Sequence, residues 1–399
     1  MPKKLAIFCD GTWNQASKER TNVVKLFEAT CSACVAAPPQ TAGDPQIAYY
    51  VKGVGTRREE YWRGGAFGYG ISDNIKDAYS FIVANFEAGD QLFLFGFSRG
   101  AFTARSLAGL IRNMGVLRRD QLHRVDFAYE KYRDKACEWA PDGAEAVKFR
   151  KQYSQPGESI EFIGVWDTVG ALGAPYGLIA SWLVDKIFNC SFHDAKLSSW
   201  VQNAYHALAA DERRWPFRPT LMELNDKHRA RNAAALSDPN NKDKIACYEE
   251  KWFPGVHSDV GGGYAETPAY PEATGLSDIA LQWMAERAQH HGLNLNLQLL
   301  NQDPDATVQP EFKPNIKAEP HDSRAPYYTW LTKLYVYYPN KLPLVNRFAF
   351  RKDDRGLVGY VTKDGDYVRP INVSDGANVD ALKEKQAADP NYAFTNALL

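Results

Sequence analysis

The serine most suited to chemistry lies at the end of an apolar run, Leu92-Phe93-Leu94-Phe95-Gly96-Phe97-Ser98-Arg99-Gly100. G-x-S-x-G in that setting is the pattern of a nucleophile elbow. Such a turn, from strand to helix, holds a serine hydroxyl above the end of a sheet and needs small neighbours because the backbone folds closely around it. A hydroxyl becomes a nucleophile beside a base, and the base needs a carboxylate that fixes its tautomer and stabilises its charged form. Later segments supply both in the order serine, acid, histidine. Ile163-Gly164-Val165-Trp166-Asp167-Thr168-Val169-Gly170 ends an apolar run on Asp167, and Pro254-Gly255-Val256-His257-Ser258-Asp259 opens a glycine-rich loop at His257. The Arg99 amide, at the start of the helix after Ser98, is expected as one oxyanion donor. Gly11 or Thr12, after the first apolar run, is expected as the second. The chemistry implied is acyl transfer from an ester to water through an acyl-enzyme on Ser98, without metal or cofactor.

Each of these residues also has a plainer reading. Asp167 could cap a turn at a strand end, and His257 could be a buried histidine paired with Asp259. Seven other histidines exist, at His123, His193, His206, His228, His290, His291 and His321. His206 is the main rival, because the segment from His206 to Arg214 groups it with Asp211, Glu212, Arg213 and Arg214 at helical spacing; that cluster reads as an ion network or cap contact. Asp10, in Cys9-Asp10-Gly11-Thr12, fits a D-G-T pattern also found in phosphate-transfer enzymes, but no carboxylate cluster beside it would complete a metal site. Cys31-Ser32-Ala33-Cys34 supplies half of a four-ligand site, and Gly53-Val54-Gly55 lacks the third glycine of a dinucleotide loop.

The elements that must position these residues alternate. Strands are expected at 5–9, 47–51, 91–97, 160–166 and 245–252. Ser72-Asp73-Asn74 is expected to cap a helix whose apolar face is Ile75, Ala78, Tyr79, Ile82, Val83 and Phe86. Another helix follows Gly100. Short β-rich runs alternating with helical patterns predict an α/β fold, an α/β-hydrolase-like, mostly parallel sheet with helices on both faces. Residues 1–373 are expected to form the catalytic domain, with cap insertions near 118–157, 172–243 and 300–350; residues 374–399 read as a surface helix and tail. Trp182, Phe188 and Trp200 of the second insertion are expected to hold an acyl chain, and 234–243 to be a mobile loop.

Composition narrows the classes. The 399 residues carry 47 lysines and arginines against 48 aspartates and glutamates, so no positive field recruits nucleic acid. Six cysteines without a repeated spacing read as reduced thiols. The five apolar residues after Met1-Pro2-Lys3-Lys4 are too few for a signal peptide, so the chain is expected in the cytoplasm of the producing cell. No run of 18 apolar residues predicts a membrane span. The apolar stretch 178–184 allows peripheral membrane contact at most.

Seven ordered blocks together resemble the bacterial α/β-hydrolase family that contains the catalytic modules of type VI secretion lipase effectors, the type VI phospholipase effector 1 class. They are Phe8-Cys9-Asp10-Gly11-Thr12-Trp13-Asn14, Thr21-Asn22-Val23, Gly53-Val54-Gly55-Thr56, Gly96-Phe97-Ser98-Arg99-Gly100-Ala101, Gly164-Val165-Trp166-Asp167-Thr168-Val169-Gly170, Asp211-Glu212-Arg213-Arg214, and Trp252-Phe253-Pro254-Gly255-Val256-His257-Ser258-Asp259-Val260-Gly261-Gly262-Gly263-Tyr264. The likeness covers about residues 4 to 290, and Val368-Arg369-Pro370-Ile371-Asn372 looks like the family's closing segment. It implies Ser98 as nucleophile, Asp167 as acid and His257 as base. It also implies ester hydrolysis, with phospholipid cleavage at the A1 or A2 position for some members, and delivery into rival cells with spike proteins, with immunity proteins as further partners. Family members often carry a long additional membrane-binding or loading region for which 399 residues leave little room. That suggests either a soluble ester as substrate or delivery by another polypeptide. Two alternatives to a lipolytic enzyme stay open: an esterase or amidase acting on a small soluble substrate, and a non-catalytic binding module on the same fold.

Overall fold

The computed structural model describes residues 2–11, 20–36, 45–53, 66–134, 136–156, 159–169, 197–212, 217, 219–264, 275–296 and 372–373. Along the chain, β1 (Lys4–Cys9), α1 (Asn22–Ala36), β2 (Gln46–Val51), α2 (Ala66–Asn85), β3 (Gln91–Phe97) and α3 (Arg99–Met114) come first. Next are α4 (Val125–Arg133), α5 (Ala144–Tyr153), β4 (Ile160–Trp166) and β5 (Val201–Ala209). The order closes with α6 (Asp226–Ser237), β6 (Tyr248–Phe253), α7 (His257–Gly261), α8 (Leu276–His290) and β7 (Asn372–Val373). The strands form one sheet in the order β2-β1-β3-β4-β5-β6-β7. Every neighbouring pair is parallel, as an α/β fold with covered faces requires.

All six residues of β1 are buried because both of its faces meet helices. With the period of two that a strand imposes, Leu5, Ile7 and Cys9 join Leu92, Leu94, Ile163 and Val165 in a core shared with α2 and α3. Ala6 and Phe8 join Phe93, Phe95, Phe97, Phe162, Trp166 and Tyr205 against α1 and α8. On that second face Phe8 stacks on Phe95 at 4.9 Å, and Phe95, Phe162 and Tyr205 follow at 5.4 and 5.2 Å. Each such ring stabilises the fold by about 1.5–3 kcal/mol when fully buried, so the row makes a stiff floor under the ends of β3 and β4.

The expected second insertion, 172–243, is corrected at its centre: residues 201–209 are β5, an interior strand of the sheet. Gln202, Asn203 and His206 interrupt its apolar pattern, and tertiary hydrogen bonds remove the cost of burying them. Asn203 Nδ2, for example, donates to the Glu161 carbonyl at 2.9 Å. The grouping of His206 with Asp211 and Glu212 on a helix fails for the same reason. The strand expected at 245–252 occupies Tyr248–Phe253, since the Asn241 side chain holds Ile245 in a turn by bonds of 3.0 and 2.7 Å. Residues 234–237, expected in a mobile loop, complete α6, whose start is capped by Asn225 accepting from the His228 amide at 3.0 Å. α2 begins at Ala66, ahead of the expected cap, and Asn74 instead donates to the Lys52 carbonyl at 2.8 Å. Between α3 and β4, the described residues of the expected first insertion are largely helical, at Arg119–Arg124, Val125–Arg133, Cys137–Trp139 and Ala144–Tyr153. The expected insertion near 300–350 and the tail 374–399 lie outside the described residues. No described helix is long and apolar enough to cross a membrane.

Candidate active site

Ser98 sits between β3 and α3 with φ 57° and ψ −120°, a conformation that costs a non-glycine residue about 1–3 kcal/mol. The flanking glycines explain how the turn closes. A Cβ on Gly96 would lie 2.4 Å from the Gly100 carbonyl oxygen, and one on Gly100 would lie 2.1 Å from the Cys9 carbonyl oxygen. Both obstacles are backbone, so neither position accepts a side chain while the helix starts directly against the end of β1. The Ser98 amide donates to the Trp166 carbonyl at 3.0 Å, which ties the elbow to the end of β4, one residue before Asp167.

Asp167, with φ 39°, is the second strained residue at this edge. Its amide donates to the Ala207 carbonyl at 2.7 Å, and its Oδ1 accepts from the Ala209 amide at 3.1 Å. Its Oδ2 lies 2.5 Å from His257 Nδ1, and His257 Nε2 lies 2.8 Å from Ser98 Oγ. The carboxylate dictates a proton on Nδ1, which leaves Nε2 to accept from the hydroxyl. Ser98, Asp167 and His257 are 5%, 0% and 4% exposed, so their interactions operate largely out of water. The alternative pairing of His257 with Asp259 is not made: Asp259 Oδ2 accepts from the Val256 amide at 2.9 Å and caps α7.

Several residues that sequence reasoning did not assign to the site hold His257 in place. Asp211 and the loop before His257 exchange bonds, Gly255 N–H to Asp211 Oδ2 at 2.7 Å and Asp211 N–H to the Gly255 carbonyl at 3.0 Å. The His257 amide donates to the buried Glu212 carboxylate at 3.3 Å. From α1, Asn22 Nδ2 donates to the carbonyls of Val260 and Ser277, both at 2.9 Å. The imidazole packs against two rings, Phe97 at 4.6 Å and Phe217 at 4.8 Å. Gly261 must lack a side chain because its Cβ would lie 1.9 Å from the Phe97 ring. The signal in the sequence was the block Asp211-Glu212 after an unrecognised strand, together with Thr21-Asn22.

The expected oxyanion donors separate. Arg99 is the first residue of α3, where amides point out of the helix start and the dipole favours negative charge. Desolvation lowers its guanidinium to about 10, so it stays charged at neutral pH. The Gly11 amide instead donates to the Asp10 carboxylate at 2.7 Å. Asp10 Oδ1 also accepts from Thr21 Oγ1 at 3.0 Å, and Oδ2 accepts from the Tyr50 hydroxyl at 2.5 Å. Asp10 is thus ringed by donors and braces the chain at the end of β1. Thr12 lies outside the described residues, as do Trp182 and Phe188. Trp200 is described and is not at the site. It precedes β5, beneath the guanidinium groups of Arg112 and Arg150 at 5.0 and 5.6 Å. In a parallel sheet that edge is the length of a strand, about 25 Å, from Ser98. His206, the rival base, has no serine beside it: its Nε2 accepts from the Thr168 amide at 3.0 Å and its Nδ1 meets Glu250 Oε1 at 3.1 Å.

A model of the family described as T6SS, Phospholipase effector Tle1-like, catalytic domain, matches residues 3–287. Uncharacterized protein YEL023C of Saccharomyces cerevisiae is 29% identical over 238 residues, covering 54% of this chain and 32% of the yeast protein. The chain therefore spans about a third of the length of that relative. Among solved structures, an uncharacterized protein from Pseudomonas aeruginosa aligns with a TM-score of 0.40 and 19% identity, over 76% of this chain and 48% of the other. The Tle1 effector bound to the VgrG spike of the type 6 secretion system aligns with a TM-score of 0.39 and 18% identity, over 76% of each chain.

Proposed function

The chain belongs to the T6SS Tle1-like phospholipase effector family through a catalytic domain matched at residues 3–287, and we propose that it is a serine carboxylester hydrolase that cleaves phospholipids as a phospholipase A. The observation that carries the proposal is the line of contacts from Ser98 Oγ through His257 to Asp167, at 2.8 and 2.5 Å. Ser98 Oγ attacks the ester carbonyl carbon while His257 Nε2 takes its proton. The tetrahedral oxyanion faces the Arg99 amide at the start of α3. Collapse breaks the bond to the leaving alkoxide, which takes the proton from His257 and departs as lysophospholipid. Water, activated by the same imidazole, then hydrolyses the acyl-enzyme and frees the fatty acid. Asp167 stays ionised and stabilises the imidazolium. The T6SS effector family supports extending the proposal to delivery into target cells by a type VI secretion system; a spike protein as carrier and an immunity protein as further partner are part of the same proposal.

The test is fatty-acid release from a phospholipid and from a short-chain ester, by the wild type and by Ser98→Ala. Release from phospholipid that disappears in the variant supports the whole reading. Release only from the short ester removes the phospholipid and keeps the hydrolase. No release from either, with Ser98 unlabelled by a fluorophosphonate in folded protein, leaves a binding module on this fold.

A further inference from the structure

We propose that the buried pair His206–Glu250 is a positioning device: through Thr168 it sets the turn that presents Asp167, and through Met222 it ties to that turn the segment that lays Phe217 against His257. This inference rests on the reading of Ser98, Asp167 and His257 as the reacting groups.

A buried histidine in the middle of a central strand needs a reason, since an aliphatic residue would fill the same space without polar atoms to satisfy. The reason lies one strand away. Asp167 adopts φ 39°, and the next amide, of Thr168, is fully buried and turned toward β5. His206 Nε2 is its acceptor, at 3.0 Å. A nitrogen that accepts cannot also carry the proton, so the ring is the Nδ1–H tautomer and donates to Glu250 Oε1 at 3.1 Å. The same oxygen accepts from the Met222 amide at 2.6 Å. Burial lowers the His206 pKa, opposed by Glu250, which favours the neutral ring that the Thr168 contact requires.

The segment around Met222 is joined to the acid's turn a second time. Thr220 N–H donates to the Thr168 carbonyl at 2.8 Å, and Val169 pairs with Pro219. On its other side the guanidinium of Arg105, from the helix that begins after Ser98, donates to the carbonyls of Thr220 and Leu221. Phe217 stands at the head of this segment with its ring across His257. One carboxylate oxygen of Glu250 is therefore the joint between the strand end that carries the acid and the segment that walls the base. His206 and Glu250 thus act on the reacting groups through Thr168 and through the Met222 segment.

The experiment compares two replacements of similar size that imitate opposite ends of the imidazole. In His206→Gln the side-chain carbonyl reaches the position of Nε2 and can accept from Thr168. In His206→Asn the amide stays near Nδ1, keeps Glu250 and no longer reaches Thr168. Two readouts are taken on folded full-length chain: the far-downfield proton resonance of His257 Nδ1–H against Asp167, and the rate at which a fluorophosphonate labels Ser98. His206→Gln, which keeps the Thr168 contact and gives up only the bond to Glu250, is expected to move the resonance and the labelling rate much less than His206→Asn. His206→Asn is expected to shift or broaden the resonance and slow labelling by about ten- to a hundredfold, the scale of a displaced reacting group. Equal values in the two variants, or a His206→Asn resonance and rate like wild type, overturn the proposal. If His206→Asn does not fold, Glu250→Met removes the other acceptor at similar volume, and an unmoved resonance there overturns the proposal in the same way. Because the resonance needs no turnover, a wild type that is never labelled but whose resonance moves in His206→Asn defeats the hydrolase reading and leaves the positioning intact.

Discussion

His206 and His257 are both buried and both lie within hydrogen-bond reach of a carboxylate, at 3.1 Å from Glu250 and 2.5 Å from Asp167. They differ at the other ring nitrogen. In His257 it faces a hydroxyl on a strained turn at 2.8 Å; in His206 it accepts from the backbone amide of Thr168. A buried histidine beside an acid is thus not yet a base, because the remaining nitrogen decides whether the ring can exchange a proton with anything that reacts. The surroundings follow the same division. His257 opens a five-residue helix held from outside by Asn22 and by Asp211 and Glu212, at the edge where strands end. His206 lies inside β5, fixed by the ladder on both sides.

The largest effects should separate the two histidines. Ser98→Ala and His257→Ala are each expected to lower kcat by about 10⁶, as loss of a member of a cooperating triad does, whereas His206→Gln keeps most of the rate. A His206→Gln variant as dead as His257→Ala would mean that the wrong histidine has been given the proton. Next in size is Asp167→Asn, expected to cost about 10⁴ in kcat with little change in KM, because the amide no longer selects the tautomer that leaves Nε2 to accept. Steady-state kinetics on one ester reads both. Asn22→Ala removes two bonds, to the Val260 carbonyl within the His257 helix and to the Ser277 carbonyl at the start of α8, and a loss of about 1–3 kcal/mol in urea unfolding is expected, with a modest fall in kcat. A fall in kcat with no loss of stability would show Asn22 acting on the site rather than on packing.

The smallest effect concerns pH. Burial lowers the pKa of His206 below the ordinary 6.5 and that of His291 to about 4. In the unfolded chain both groups take up protons near 6.5 that the folded chain refuses. The stability contributed by the neutral rings is therefore full above 6.5 and declines as the pH falls below it, for His291 down to about 4. The urea midpoint should decline over that window, and His291→Phe should flatten the decline. An unchanged slope in His291→Phe would place the acid sensitivity elsewhere.

Much of this site is legible in the amino-acid sequence. Ser98 and Asp167 each end an apolar strand, and glycines mark the tight backbone beside Ser98 and His257, so local pattern pointed to them directly. The grouping of Asp211 and Glu212 was visible, but their use was not, because β5 hides behind Gln202, Asn203 and His206, whose partners lie on other strands. Gly11 was expected to serve an oxyanion because a small residue follows a strand; in the structure its amide meets the carboxylate of its own neighbour, Asp10. Trp200 was expected at the acyl site because it lies within the stretch read as the second insertion, and the parallel direction of β5 puts it at the opposite edge.

By itself, then, the sequence determined the class of fold, the elbow at Ser98 and the order of serine, acid and histidine, because these depend on neighbours within a few residues: apolar runs, glycines and the turn that joins strand to helix. Tertiary structure alone decided that His206 accepts a backbone amide while His257 accepts a hydroxyl. A ring nitrogen takes its role from the atom placed opposite it, and here that atom arrives from 38 residues away in one case and 159 in the other.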